Sequence, residues 1–138
     1  MKHYTLWLFK VLFIAVCFSF TQVLAQPQPS TFNAVDRQIV NALNNGTADD
    51  ITRHFGQLTT ISLLGNRNAC SKTHCNAMIA EFLAKVSMRS FTVDRAGSSG
   101  TGYFTIGTLR SGSNSYRVYY SMRQEGDEVV LQELRVEQ

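Results

Sequence analysis

Cys70 and Cys75 are the residues whose spacing speaks first to chemistry. Ser71 between them is a favourable N-cap for the helical pattern that follows, so Cys70 takes the N′ position and Cys75 the N4 position. Side chains at N′ and N4 commonly meet as a hydrophobic staple. The spacing therefore predicts that the two sulfurs lie close together. In an oxidising compartment a disulfide can take the staple's place; two reduced, buried thiols are the other reading. A redox-catalytic pair is disfavoured because the spacing is not Cys-x-x-Cys. A metal site from Cys70, His74 and Cys75 lacks an evident fourth ligand. No metal or other cofactor is expected.

Acid–base groups are sparse. His54 neighbours the apolar positions Ile51, Phe55 and Leu58. It could act as a general base or hydrogen-bond donor at the mouth of a cavity, or stand as a boundary histidine with its ring against the core. Tyr120 and Gln132 fall on an otherwise apolar strand face. They either bond to each other and to nearby backbone, or they aim a hydroxyl and an amide into a ligand pocket. Tyr116 shares that face, so Tyr116, Tyr120, Gln132 and His54 are the pocket candidates. Asp94 is the nearest carboxylate, and it is equally suited to ending a strand. The inward meander positions offer no Asp, Glu or His, and no residue is assigned a catalytic role. Ser98 and Ser99 have no paired base for nucleophilic catalysis. The glycine-rich stretch 97–102 is not followed by Gly-Lys-Ser/Thr, so it is not a phosphate loop.

The elements that must position these residues can be read from periodicity. A first helix is predicted over 35–44, with Val35, Ile39, Ala42 and Leu43 on one face and Gly46 beyond its end. Thr47 would cap a short helix over 48–55, with Asp49 and Asp50 in its first turn and Ile51, Phe55 and Leu58 buried. Residues 59–64 read as a strand ended by Gly65-Asn66. Ser71 opens the best helix, 72–87, whose stripe is Cys75, Met78, Ile79, Phe82, Leu83 and Val86; His74 should be exposed. A short strand over 90–94 and a loop at 97–100 lead into three strands, 103–110, 115–124 and 128–137. The turns between them are Ser111-Gly112-Ser113-Asn114 and Glu125-Gly126-Asp127.

Alternation assigns the faces of this meander. Tyr116, Val118, Tyr120 and Met122 should face the helices, with Arg117, Tyr119 and Arg123 outward. If the last turn is symmetric about Gly126, Tyr116 pairs with Val136, Val118 with Leu134, Tyr120 with Gln132 and Met122 with Val130. Phe104 and Ile106 are expected to continue the inner face. Arg117, Tyr119, Arg123, Glu133 and Arg135 would form an outer face, either solvated or a protein-contact surface.

The expected fold class is α+β: helices packed on a curved antiparallel sheet that ends in a three-stranded meander. The order of elements resembles the cystatin-like cone of the nuclear transport factor two-like superfamily. More specifically, Tyr103-Phe104-Thr105-Ile106-Gly107-Thr108-Leu109, then Tyr116-Arg117-Val118 and a closing Leu134-Arg135-Val136-Glu137, is similar to the domain-of-unknown-function family 4783 of small, mostly exported bacterial proteins. The likeness covers about residues 35–137. It implies a fold and an address and carries over no catalytic residue. The superfamily holds ketosteroid isomerases, dehydratases and pure binding modules, so the fold alone does not choose a function.

The address has its own signals. Lys2 and Lys10 flank a short charged start, residues 11–20 are dominated by large apolar side chains, and Val23-Leu24-Ala25 suits cleavage before Gln26. Lys10, Thr21 and Gln22 bracket a run shorter than the ~20 residues a membrane span needs. Lipid attachment at Cys17 is disfavoured by Val16 before it. The expected division is a signal over 1–25, a loose leader over 26–31 and one domain over 32–138, exported to the periplasm or secreted, with no membrane span after cleavage. Loss of Lys2 and Lys10 reduces 13 basic residues to 11 against 10 acidic ones. That near-balance gives no electrostatic support for nucleic-acid binding. The leading expectation is an exported, non-catalytic module that binds a small apolar ligand, a peptide or an envelope protein. An isomerase- or dehydratase-like enzyme using His54 or Asp94 with Tyr120, and a homodimeric envelope protein, are the alternatives.

Overall fold

The structure is a computed structural model that describes residues 29–138. The expected signal over 1–25 and the first leader residues, 26–28, lie outside them. Three helices and six strands follow in the order α1 (Pro29–Asn45), α2 (Ala48–Thr52), β1 (Phe55–Leu63), β2 (Asn66–Cys70), α3 (Lys72–Lys85), β3 (Arg89–Ser99), β4 (Gly102–Ser111), β5 (Asn114–Glu125) and β6 (Glu128–Glu137). The strands form one curved, unclosed mixed sheet ordered β2-β1-β6-β5-β4-β3.

Helix α1 is longer than its expected span and takes in the end of the expected leader. Pro29 is tolerated because a first-turn N–H has no intrahelical partner to lose. The added turns bring Phe32 onto the apolar stripe with Ile39, Ala42 and Leu43, all buried. Gly46 ends the helix at φ +74°, and its N–H donates to Ala42 O at 2.8 Å. A side chain there would also strike the Arg89 guanidinium. Arg89 in turn ends α3, donating to Val86 O at 2.6 Å and Leu83 O at 2.9 Å. These are carbonyls that a helix end leaves without partners.

Four adjacent strands, β3 to β6, form a continuous antiparallel meander, one strand more than expected. The stretch 97–100 is not a separate loop. Gly97 pairs with Phe104 and Ser98 with Tyr103, and the turn is made at Gly100-Thr101. Strand β2 was not foreseen, since Asn66-Arg67-Asn68-Ala69 is poor in strand formers and all four residues are exposed. One pair departs from the antiparallel expectation: β1 runs parallel to β6. Its register jumps from Phe55↔Leu131 to Thr60↔Glu133. Within the irregularity Gln57 and Leu58 turn outward, Leu58 being 75% exposed rather than buried, while Thr59 stays buried.

The meander's register also differs from expectation. Gly126-Asp127 make a two-residue turn, so Glu125 pairs with Glu128, and a bulge follows between Ser121 and Met122. Each step shifts the pairing by one residue. Val118 therefore meets Val136 and Tyr120 meets Leu134. Beyond the bulge the two shifts together preserve parity, so Val118 and Tyr120 keep inward partners. Met122, before it, takes one shift and meets Leu131, and all three are buried. Gln132 is displaced by the bulge and is exposed. On β4 the inward residues are Thr105, Gly107 and Leu109, opposite Tyr120, Val118 and Tyr116. Phe104 and Ile106 lie opposite Ser121 and Tyr119, on the outer face, contrary to expectation.

Candidate functional site

Two successive turns of α1 deliver the site. Phe32 and Asp36 stand four residues apart, so both project toward the inner face of β4 and β5. Asp36 Oδ1 accepts from the Tyr120 hydroxyl at 2.5 Å and from Thr105 Oγ1 at 2.6 Å. Tyr120 and Thr105 are cross-strand partners, and both are fully buried. Phe32 stacks on Tyr103 with ring centroids 5.8 Å apart and planes 11° from parallel. Burial first, then the hydrogen bond to Asp36, holds the Tyr120 phenol far above the usual tyrosine range. Burial, with the Asp36 charge second, also raises Tyr103. Tyr120 is thus a neutral hydroxyl donor facing a carboxylate acceptor.

Asp36, Thr105 and Tyr103 were not foreseen from sequence. The meander does lack an inward acid; the acid comes from the helix instead. Its signal was present in the spacing 32, 36, 39 and 43, which sets a carboxylate in the middle of an apolar stripe.

Of the expected pocket residues, Tyr120 alone enters this cluster. Tyr116 is half-buried and meets Phe82 edge-on, at 5.7 Å and 88°. Gln132 does not pair with Tyr120; with its amide oxygen turned to Arg123 it accepts from Nη1 at 3.2 Å and Nε at 3.3 Å. The physical reason is the bulge that turns it out of the sheet. His54 lies on the turn between α2 and β1, and its carbonyl accepts from Leu131 N–H at 2.6 Å. Burial, then the charges of Arg53 and Lys72, hold its imidazole below the usual histidine value. Asp94 is exposed and accepts from Thr108 Oγ1 at 2.8 Å, on the outer face. It cannot serve as an inward base.

Cys70 and Cys75 are joined as a disulfide, with Cα atoms 5.6 Å apart. The helix start brings them together as expected: Cys75 N–H donates to Ser71 O at 2.9 Å. His74 is exposed. Among the described residues no group of three or more His, Cys, Asp or Glu side chains could hold a metal ion. No helix among them is long and apolar enough to cross a membrane.

Open space lies elsewhere. A surface cleft of about 650 Å³ between the α1–α2 junction and α3 is lined by Gly46, Asp49, Arg53, Asn76 and Arg89, among others. On the outer face, Ile106, Arg117, Tyr119, Arg135 and Glu137 line a cleft of about 190 Å³. There the Arg135 guanidinium sits 5.6 Å from the Tyr119 ring centroid and pairs with Glu133 at 2.8 Å. Tyr120 lines neither cleft.

Helices on one face of a curved, open sheet define a cystatin-like, NTF2-like fold. Among solved structures, a DUF4783 family protein from Bacteroides uniformis matches with a TM-score of 0.69 at 19% identity, covering 74% of this chain and 94% of that one. A domain of unknown function with a cystatin-like fold from Nostoc punctiforme matches at 0.61 and 16%, covering 78% and 75%. An NTF2-like family protein from Streptomyces avermitilis matches at 0.61 and 10%, covering 78% and 93%. The family model for a domain of unknown function, DUF4783, matches residues 36–137, and the chain belongs to that family. No curated protein matches it.

Proposed function

We propose that this protein is an exported, non-catalytic interaction module that meets its partner through the outer face of β4, β5 and β6. The closed Tyr120–Asp36–Thr105 cluster carries the reading, because it ties the inward polar groups to one another. Meanwhile Phe104, Ile106 and Tyr119 are only partly covered, beside Arg117 and Arg135 on a face the helices do not pack against. Aromatic and arginine side chains are enriched in protein-contact surfaces. Export is supported by the charged and apolar pattern of residues 1–25, and a disulfide suits an oxidising compartment. A photo-crosslinking residue placed at Tyr119 in producing cells is expected to trap a discrete partner, with none trapped from Ala84 on α3. Equal labelling at both positions, or none at either, would count against the reading.

One observation favours a second reading, an isomerase- or dehydratase-like enzyme. Asp36 puts a carboxylate within hydrogen-bond reach of Tyr120, the arrangement that could donate to a carbonyl oxygen and hold a proton nearby. A substituted phenolate mimics the oxyanion such a site would bind. Displacement of the Tyr120–Asp36 bond by that probe, seen by NMR, would support the enzyme; an unperturbed Tyr120 ring would dismiss it.

A further inference from the structure

His54 Nε2 is buried and has no hydrogen-bond partner among the described residues. A buried polar atom without a partner calls for an explanation. The residue's main chain is committed on both sides: its N–H donates to Ile51 O at 3.2 Å, and its carbonyl accepts from Leu131 N–H at 2.6 Å. The charges acting on the ring are Arg53 from its own turn, Lys72 from α3 and Asp50 from α2. Lys72 also donates to Arg53 O at 3.1 Å, which fixes the helix start beside the turn. From β6 the residue bonded to this turn is the apolar Leu131. A second ring proton would thus be buried near two cations and one partly offsetting carboxylate.

Leu131 is where the parallel seam is most exposed to such a change. It pairs with Phe55, and the register then jumps to Thr60↔Glu133. Its carbonyl is held by Thr59 Oγ1 at 3.0 Å, from the far side of the bulge. One main-chain bond from His54 therefore anchors the near side.

We propose that His54 is an acid-sensitive latch: protonation of its ring releases the α2–β1 turn from Leu131 and loosens that end of the β1–β6 seam. The proposal is independent of which face the protein uses for its partner. The test is amide hydrogen exchange of the disulfide-bonded protein, corrected for intrinsic rates. From about pH 7.5 to about pH 5, the range in which histidine titrates, Leu131 should lose protection severalfold, while Val118 in the sheet centre stays protected. His54→Gln should abolish this dependence. Unchanged Leu131 exchange in the native protein, or the same loss in His54→Gln, would overturn the proposal. An NMR titration of the native ring decides the matter if the variant does not fold: a ring titrating at or above the ordinary histidine value also overturns it.

Discussion

The Tyr120 hydroxyl donates to Asp36 Oδ1 at 2.5 Å across 84 positions of sequence. That bond joins the middle of α1 to the middle of β5, and Thr105 completes the acceptor's coordination from β4. It is a polar fastening set within an apolar interface.

Removing either partner should show how much the fastening holds. Tyr120→Phe loses one charge-assisted hydrogen bond, expected to cost about 1.5–3 kcal/mol. Asp36→Ala should cost more, because it leaves the buried Tyr120 and Thr105 hydroxyls without their acceptor. Urea unfolding midpoints check both; equal midpoints for native and Asp36→Ala proteins would refute the fastening.

Asn44 guards the β3 edge. Its side-chain oxygen accepts from Phe91 N–H at 2.8 Å, and its amide nitrogen donates to Phe91 O at 3.5 Å and Val40 O at 3.0 Å. It thus occupies the place of a neighbouring strand on an exposed edge. Asn44→Ala is expected to destabilise by about 1–2 kcal/mol, as one well-formed bond and an orphaned N–H imply. Faster hydrogen exchange of the Phe91 amide, with Val118 unchanged, is the local readout.

Gly107 is required by packing. A Cβ there would collide with the Phe91 ring and with Thr92 O at 2.5 Å. Gly107→Ala should therefore cost about 1–3 kcal/mol by overpacking rather than gain from a stiffer unfolded chain. Thermal unfolding measures the sign directly.

The Cys70–Cys75 bridge closes a short loop, with a sequence separation of 5. The chain-entropy model gives such a loop about 2 kcal/mol. The Cys70→Ser, Cys75→Ser variant should keep the fold and lose roughly that stability in denaturant titrations. Mass spectrometry of the native protein should find Cys70 and Cys75 joined.

Stability should also depend on pH through His54. Its folded pKa lies below the ordinary 6.5 because of burial, Arg53 and Lys72. Above 6.5 both states hold a neutral ring and the contribution is complete. As pH falls through 6.5 the unfolded chain binds a proton that the folded chain resists, so stability declines until the folded ring also protonates. Unfolding midpoints for native and His54→Gln proteins should diverge below 6.5 and run parallel above it.

The fold was legible where one pattern decided one outcome. Alternation on β5 placed Tyr120 inward, and the helix start at Ser71, which makes no side-chain capping bond, set Cys70 beside Cys75. The failures came where two local details combined. A two-residue turn and a bulge moved Tyr120 from Gln132 to Leu134 without changing its face, a shift that parity cannot report. Phe104 and Ile106 went outward because neighbouring strands, not the apolar content of β4, set which residues share a side. Asp36 escapes a reading of the first helix from its apolar positions alone, because it is the one carboxylate between Val35 and Ile39 on that stripe.

The placement of β6 at the sheet's centre has a consequence for how the chain comes together. Phe55 must wait for Leu131, and Leu63 for Val136, before the β1–β2 hairpin has a neighbour on its inner side. Such distant pairing carries a loop-closure cost before it returns any contact, so assembly should be slow for a domain of this size. Until β6 emerges, the two parts of the sheet have no common strand.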